Sequence, residues 1–431
     1  MDVFAEKISF WKKLLIGFQH VLAMCPGTIA VPLIMAGAMN LDPETTAFLV
    51  SANLFTSGVA ILLQVFGLGR FIGSKYPIIL GSSFAPLAPM ILIGNQYGLP
   101  TLFGAIMVSG LLIFILSFFL DKILVLFPPV VIGTFVTLIG ISLAPTAMQD
   151  LAGGVGSSDY GSIQNLLLGL GVLVFIILVE KFGKGIWRAM SLLLGIAGGT
   201  LVGALLGMVN VAPVVEANVF QLIDPFHFGM PQFEIGSIVI MTIFCVINMI
   251  QCIGVFSVLD EIVGTKTDNA TKIRGIKAQA VAQVFTGAFN SVPSTMFNEN
   301  VSLIDLTKVK SRSVIAVAGV MMLLLGVFPK VSAVITMVPK AVLGGATLAL
   351  FGVITSSGIS ILSKLNFFED NNFTIIGTSI AIGVGATFAS DIFVNLPTTL
   401  SMICSNGLFM VSISAILLNL LLNGKKGLHR P

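Results

Sequence analysis

Asn298, Glu299 and Asn300 stand side by side in the stretch STMFNENVSLIDLTK, residues 294–308. A carboxylate between two amides offers acceptors and donors to a small polar ligand, and it can carry a proton. Its surroundings make the triplet unusual. The chain is 56% hydrophobic and only 10% charged, with a mean hydropathy of +1.04, whereas soluble domains carry about a quarter charged residues. A soluble core of 431 residues would leave large apolar patches in water, so the lipid bilayer is the natural solvent for this composition. Most of the 19 acidic residues fall at expected helix ends or in loops. Glu299 is expected at mid-depth, where a charge costs on the order of 3 kcal/mol and marks a functional group by default. The structural alternative is a protonated Glu capping a broken helix.

Other polar side chains interrupt the apolar segments. PIILGSSFAPLAPM, residues 77–90, holds Phe84, whose ring could stack on a planar ligand, with Ser83 beside it. In the same stretch Gly81 permits close backbone approach, and Pro86 and Pro89 break the helix. Gln251, in MIQCIGVFSVLDEIVG (249–264), needs a partner if buried, either another helix or the polar edge of a ligand. Gln279 has the same two readings. His20, after Gln19, could titrate near neutrality or serve as a neutral imidazole that fixes helix packing. Glu299 and His20 are therefore the proton-coupling candidates.

Gly195, Gly199, Gly203 and Gly207 form a four-residue ladder, a close-packing face for another helix or a protomer. Cys25, Cys245, Cys252 and Cys404 share no metal-ligand spacing and read as packing residues. The sequence offers no HExxH site and no Ser–His pairing, so an enzyme is not expected. The net charge of +3 lies in short loops rather than in a nucleic-acid-binding patch.

These residues must be held by membrane spans of about 20 apolar residues each. Continuous helices are expected near 14–37, 44–67, 99–120, 125–148, 163–180, 187–209, 236–263, 273–290, 313–330, 333–354, 373–390 and 396–423. Two further segments, 77–94 and 294–309, are apolar but broken by Pro, Gly and polar residues, which brings the count to fourteen. With a cytoplasmic N-terminus, alternate loops hold 20 of the 22 Lys and Arg residues, as the positive-inside rule requires. Only Lys330 and Lys340 fall elsewhere, and the C-terminus is then cytoplasmic too. FPPVVIGT (127–134) resembles VPKAVLGG (338–345), and Pro77 and Pro293 are separated by a similar interval. The chain thus reads as two halves of seven spans, and an odd number forces the second half to insert upside down. The expected fold class is an all-α polytopic membrane protein with a 7+7 inverted repeat, whose broken segments offer backbone groups to a ligand.

ENVSLIDLTK, residues 299–308, resembles the signature of the nucleobase–ascorbate transporter family: Gln or Glu, Asn, any residue, Gly, four of any, Thr, then a basic residue or Gly. Glu299, Asn300, Thr307 and Lys308 match, and Ser302 stands where Gly is usual. Gln19-His20, GSSFAPLAP (81–89), FPPVVIGTFVTLIG (127–140) and FNSVP (289–293) are similar to that family as well. The resemblance therefore covers nearly the whole chain.

It implies a core from residues 1–124 and 236–331, a gate from 125–210 and 332–424 that usually dimerises, and a cytoplasmic tail at 425–431. It implies a carrier in the cell membrane for uracil, xanthine, urate or a related base, without metal or organic cofactor. Coupling in bacterial members is generally to a proton, with sodium the other ion to test. The implied substrate site comprises Phe84, Gln251, Asn298 through its backbone, and Glu299, supported by Gln19, Ser83, Gln279, Asn300 and Thr307. FPPVV and the GVF after Gln251 lean towards the xanthine–urate branch, whereas Glu299 leans towards the uracil branch. The family generally has Glu where this chain has Gln251, and often an acid where it has Gln279. The alternatives are an anion exchanger of the same architecture and a transport-deficient nucleobase sensor.

Overall fold

A segment in lipid must satisfy its own backbone N–H and C=O groups, which drives long apolar runs into helices. The computed structural model describes residue 4 and residues 8–424 other than 217, 368 and 369. Within its helices, the side chains of residues 186, 189, 213, 216, 298, 299, 302, 398, 399 and 402 lie outside the description. The first half holds α1 (Phe10–Ala38), α2 (Pro43–Phe66), β1 (Leu80–Ser82), α3 (Leu87–Tyr97), α4 (Leu99–Leu116), α5 (Pro129–Leu151), α6 (Ile163–Phe182) and α7 (Ser191–Leu205). The second half holds α8 (Ile235–Val263), α9 (Asn269–Ala288), β2 (Ser294–Met296), α10 (Asn298–Thr307), α11 (Arg312–Gly326), α12 (Pro329–Thr336), α13 (Lys340–Ser363), α14 (Asn372–Phe388), α15 (Thr398–Cys404) and α16 (Gly407–Asn423).

Among the described residues, seven helices are long and apolar enough to cross a membrane unaided, and a bent pair makes an eighth. Three shorter apolar helices, α7, α14 and α16, add to these. Most sequence-derived boundaries agree with the helices within a few residues, and three differ for identifiable reasons. The expected span 333–354 begins instead at Lys340, because α12 forms a separate turn bent by 79° from α11, with Pro329 at its first position. The expected span 187–209 shortens to α7, since Gly207 adopts φ +73° and ends the run. Gly207 is thus off the ladder; a Cβ at Gly195 would lie 2.3 Å from Ile176 and one at Gly199 2.4 Å from Val172, so the remaining face packs within the chain. The expected span 396–423 is interrupted at Asn406, whose side chain caps α16 through the Phe409 N–H. Lys277, counted with the loop cations in the charge alternation although it lies in the expected span 273–290, packs in α9 with its ammonium 3.7 Å from the Phe118 ring centroid, a cation–π contact.

Two groups of helices pack mainly among themselves. In one, α1 lies against α2 and α11, α2 against α11, and α4 against α8 and α9. In the other, α5 runs along α13, α6 lies against α7 and α13, and α14 against α16. The seam between α1 and α7/α13 is apolar and holds a partly open cavity of about 70 Å³, with Pro26, Ile29 and Leu33 on one side and Leu192, Ile196 and Leu350 on the other.

Candidate functional site

The site is built on the two broken segments. Residues 78–80 are fully buried, and the prolines at 77, 86, 89 and 293 keep both stretches from continuing as helices. They become strands that pair antiparallel, with Leu80 opposite Met296, Gly81 opposite Thr295 and Ser82 opposite Ser294. The Ser83 N–H donates to the Pro293 carbonyl at 2.8 Å and the Phe297 N–H to the Ile79 carbonyl at 3.0 Å, extending the ladder at both ends. Helix α3 follows one end of this pair and α10 leaves the other. Their N-caps, Pro86 and Phe297, make no side-chain cap hydrogen bond, so the positive end of each helix dipole lies beside the strand pair.

Glu299 falls in the first turn of α10; its side chain and that of Asn298 lie outside the described residues. Phe84, at the end of β1, is half-buried, with its ring edge-on to Phe351 at 6.2 Å. Gly27 of α1 makes room here: a Cβ there would come within 3.3 Å of the Phe297 ring and 3.9 Å of the Phe84 ring. Phe84 therefore stands where α1 and β1 meet α13, against a second ring that sequence reasoning missed.

Gln251 in α8 is half-buried and makes no hydrogen bond to another described residue. One turn earlier lies Asn248, which the sequence analysis overlooked. It is fully buried; its Oδ1 accepts from the Ser83 hydroxyl at 2.7 Å, while its Nδ2 has no partner. A buried donor left unpaired costs stability; Nδ2 shares this with eight other buried polar atoms among the described residues, and it lies beside Ser83 and one turn from Gln251. The signal in the sequence was an amide one helical turn from Gln251 on the same face.

The supporting residues divide by what they bond. Gln279 is committed to the scaffold: its Nε2 donates to the Ser294 carbonyl at 2.9 Å and its Oε1 accepts from the Cys252 thiol at 2.7 Å, tying α9 to β2 and α8. The Asn300 Nδ2 donates to the His20 carbonyl at 3.0 Å and lies 3.2 Å from His20 Nδ1. The carbonyl can only accept, which fixes the orientation of the amide, and His20 Nδ1 must then accept as well. A neutral His20 then carries its proton on Nε2. Thr307 returns its hydroxyl to the Leu303 carbonyl at 2.8 Å at the end of α10, and Gln19 is half-buried on α1. The exposed Lys308 pairs with Asp305 at 2.6 Å. Among the described residues, no three His, Cys, Asp or Glu side chains gather to hold a metal ion.

This arrangement brings aromatic faces, an unpaired amide donor and helix N-termini close together between packed helices. It suits a flat, neutral or weakly acidic heterocycle with alternating donors and acceptors. The sequence profile of the Permease family (Xan_ur_permease) matches residues 11–392. A nucleobase transporter of Paenibacillus larvae, PlUacP, is 42% identical over 410 residues, covering 95% of this chain and 94% of that protein. The xanthine permease of Bacillus subtilis is 42% identical over 415 residues, covering 96% of this chain and 94% of the relative. The uric acid transporter UacT of Escherichia coli is 37% identical, with 97% and 87% covered. In fold, the chain resembles the transmembrane domain of the cyanobacterial bicarbonate transporter BicA, with TM-score 0.57, 16% identity and coverage of 97% and 99%. It also resembles the murine anion transporter Slc26a9, with TM-score 0.60, 15% identity and coverage of 96% and 69%.

Proposed function

The chain belongs to the Permease family, a transport protein of multi-pass membrane architecture and not an enzyme, and from this premise we propose that it takes up a nucleobase, with xanthine or urate favoured and uracil next, coupled to protons. The base stacks on Phe84, its N–H groups donate to Glu299, and its polar edge meets Gln251 and the backbone N–H groups of α10. The observation that carries this reading is the β1–β2 pairing, which joins two segments more than two hundred residues apart beside Phe84 and the start of α10. The names of the relatives support the ligand class. The likeness to anion transporters supports the architecture alone.

In the transport cycle the set containing α1, α2, α4, α8, α9 and α11 serves as the core and moves against the other set as gate. The apolar lining of the α1–α7/α13 seam supports this, since a greasy seam breaks few polar contacts on sliding. The two halves act as a 7+7 inverted repeat, both termini are cytoplasmic, and the gate forms a homodimer. Proton coupling falls to Glu299, because His20 Nδ1 is occupied by Asn300 and Gln251 and Gln279 do not titrate.

The test is uptake of labelled xanthine, urate, uracil, guanine and adenine into a transport-deficient host at two pH values, with sodium varied in parallel. Purine uptake that rises as external pH falls is expected, and Glu299→Gln should abolish or uncouple accumulation. Undiminished pH-driven uptake by that variant would refute the role of Glu299. Chloride or sulfate flux without base uptake would identify an anion exchanger, and base binding without flux a sensor.

A further inference from the structure

Helix α1 runs unbroken from Phe10 to Ala38 although Pro32 lies inside it. Proline has no N–H, so the carbonyl four residues earlier, that of Thr28, loses its helical donor. The position is fully buried, and a backbone carbonyl stranded there costs free energy unless something else donates to it. Asn53 of α2 does so. Its Nδ2 donates to the Thr28 carbonyl at 2.6 Å and to the Ser82 hydroxyl at 2.6 Å, and the Ser82 hydroxyl itself donates to the same carbonyl at 3.0 Å. On its other side, Asn53 Oδ1 accepts from the Ser291 hydroxyl at 3.1 Å, which in turn accepts from Thr56 at 2.7 Å. Every polar atom of the Asn53 side chain is used, and the residue is 1% exposed.

The partners lie on three separate pieces of the site: the turn of α1 before Pro32, the last residue of β1, and the turn that leads into β2. Ser82 is two residues from Phe84, and Ser291 is three from the start of β2, whose far end opens α10 with Glu299. The strand pair holds only three residues on each side, too short to fix its own position against α1 and α2. We infer that Asn53 is a positioning residue for the substrate site, clamping both broken segments to the carbonyl that Pro32 leaves free. Its donors set where Phe84 and the N-terminus of α10 stand relative to α1, and therefore how well a base fits between them. The inference rests on the nucleobase reading above for what the site holds.

Four proteins test it: wild type, Asn53→Ala, Pro32→Ala and the double variant, each reconstituted and assayed for KM and Vmax of labelled xanthine uptake and for melting temperature in detergent. Asn53→Ala should raise KM about tenfold, as expected when a buried carbonyl and two hydroxyls lose their shared partner. In the Pro32→Ala background residue 32 supplies its own N–H to the Thr28 carbonyl, so adding Asn53→Ala should change KM by less than about threefold. Asn53→Asp, which keeps the size but loses both donors, should behave as Asn53→Ala or worse. Ser82→Ala should combine with Asn53→Ala sub-additively, since both donate to one carbonyl.

An unchanged KM in Asn53→Ala, a loss confined to Vmax or protein amount, or an equal penalty in both backgrounds would overturn the inference. Should a variant not transport, the same cycle is read in melting temperature, where equal losses in the two backgrounds are again the contrary result. A wild-type protein that takes up no base would sink the transport reading alone, and the melting-temperature cycle would still judge the Asn53–Thr28–Pro32 coupling.

Discussion

Asn248 shows how a single side chain can be invisible in a sequence and decisive in a structure. An amide inside an apolar helix is ambiguous by itself. The Ser83 hydroxyl on its Oδ1 and nothing on its Nδ2 turn it into a donor waiting for a carbonyl. Asn248→Ala should raise the KM for xanthine by roughly tenfold with Vmax and expression little changed, the loss of one buried hydrogen bond to substrate. Kinetics unchanged in that variant would show that Nδ2 does not meet the base. His20 and Asn300 make the opposite case. Both stood out in the sequence as polar groups at membrane depth, yet they bond each other and tie α1 to α10. His20→Gln should therefore lower uptake while leaving its pH dependence intact, measured as the ratio of initial rates at two pH values. A flattened pH profile would return His20 to the proton pathway.

At the scale of elements, apolar length and proline placement disclosed where the helices run and which two segments break. Segment 77–94 was expected to be interrupted, and β1 and α3 are its two parts; segment 294–309 divides likewise into β2 and α10. The pairing of those strands was not legible, because three-residue strands carry no periodicity and their partner lies in the other half of the chain. Gly81 explains why the pairing is possible. A Cβ there would sit 2.7 Å from the Phe297 ring and 2.8 Å from Thr28 Oγ1, so Gly81→Val should be destabilised by about 1–3 kcal/mol through overpacking and lose uptake. Gly37 near the end of α1 has nothing within 4 Å of a built Cβ, and Gly37→Ala should be neutral or stabilising by up to about 1 kcal/mol. Melting temperatures of the two purified variants check the contrast; equal stability would mean that the strand pair is not closely packed on α1.

At the scale of the molecule, aqueous caps and buried polar knots have different pH behaviour. Asp42, Asp159 and Asp268 lie in loops, and hydrogen bonds from the side chains of Thr45, Asn165 and Thr271 respectively hold their carboxyls below the ordinary range. A depressed folded-state value contributes stability that is complete above the unfolded value, near pH 4, and is lost as pH falls through the folded one. Melting temperature should thus fall below about pH 4, modestly for each group because all three are exposed. A decline beginning near neutrality would place a different group in control.

Composition and proline spacing were enough to determine a polytopic membrane protein, most of its helical segments and the two segments that break at the site, because lipid imposes those rules on every segment independently. Which amide keeps an unpaired donor, which carbonyl accepts from Asn53 and which histidine is bonded by Asn300 were decided only on folding. Those roles depend on partners 25 to 280 residues away, and a hydrogen bond between distant segments leaves no periodicity for a sequence to display.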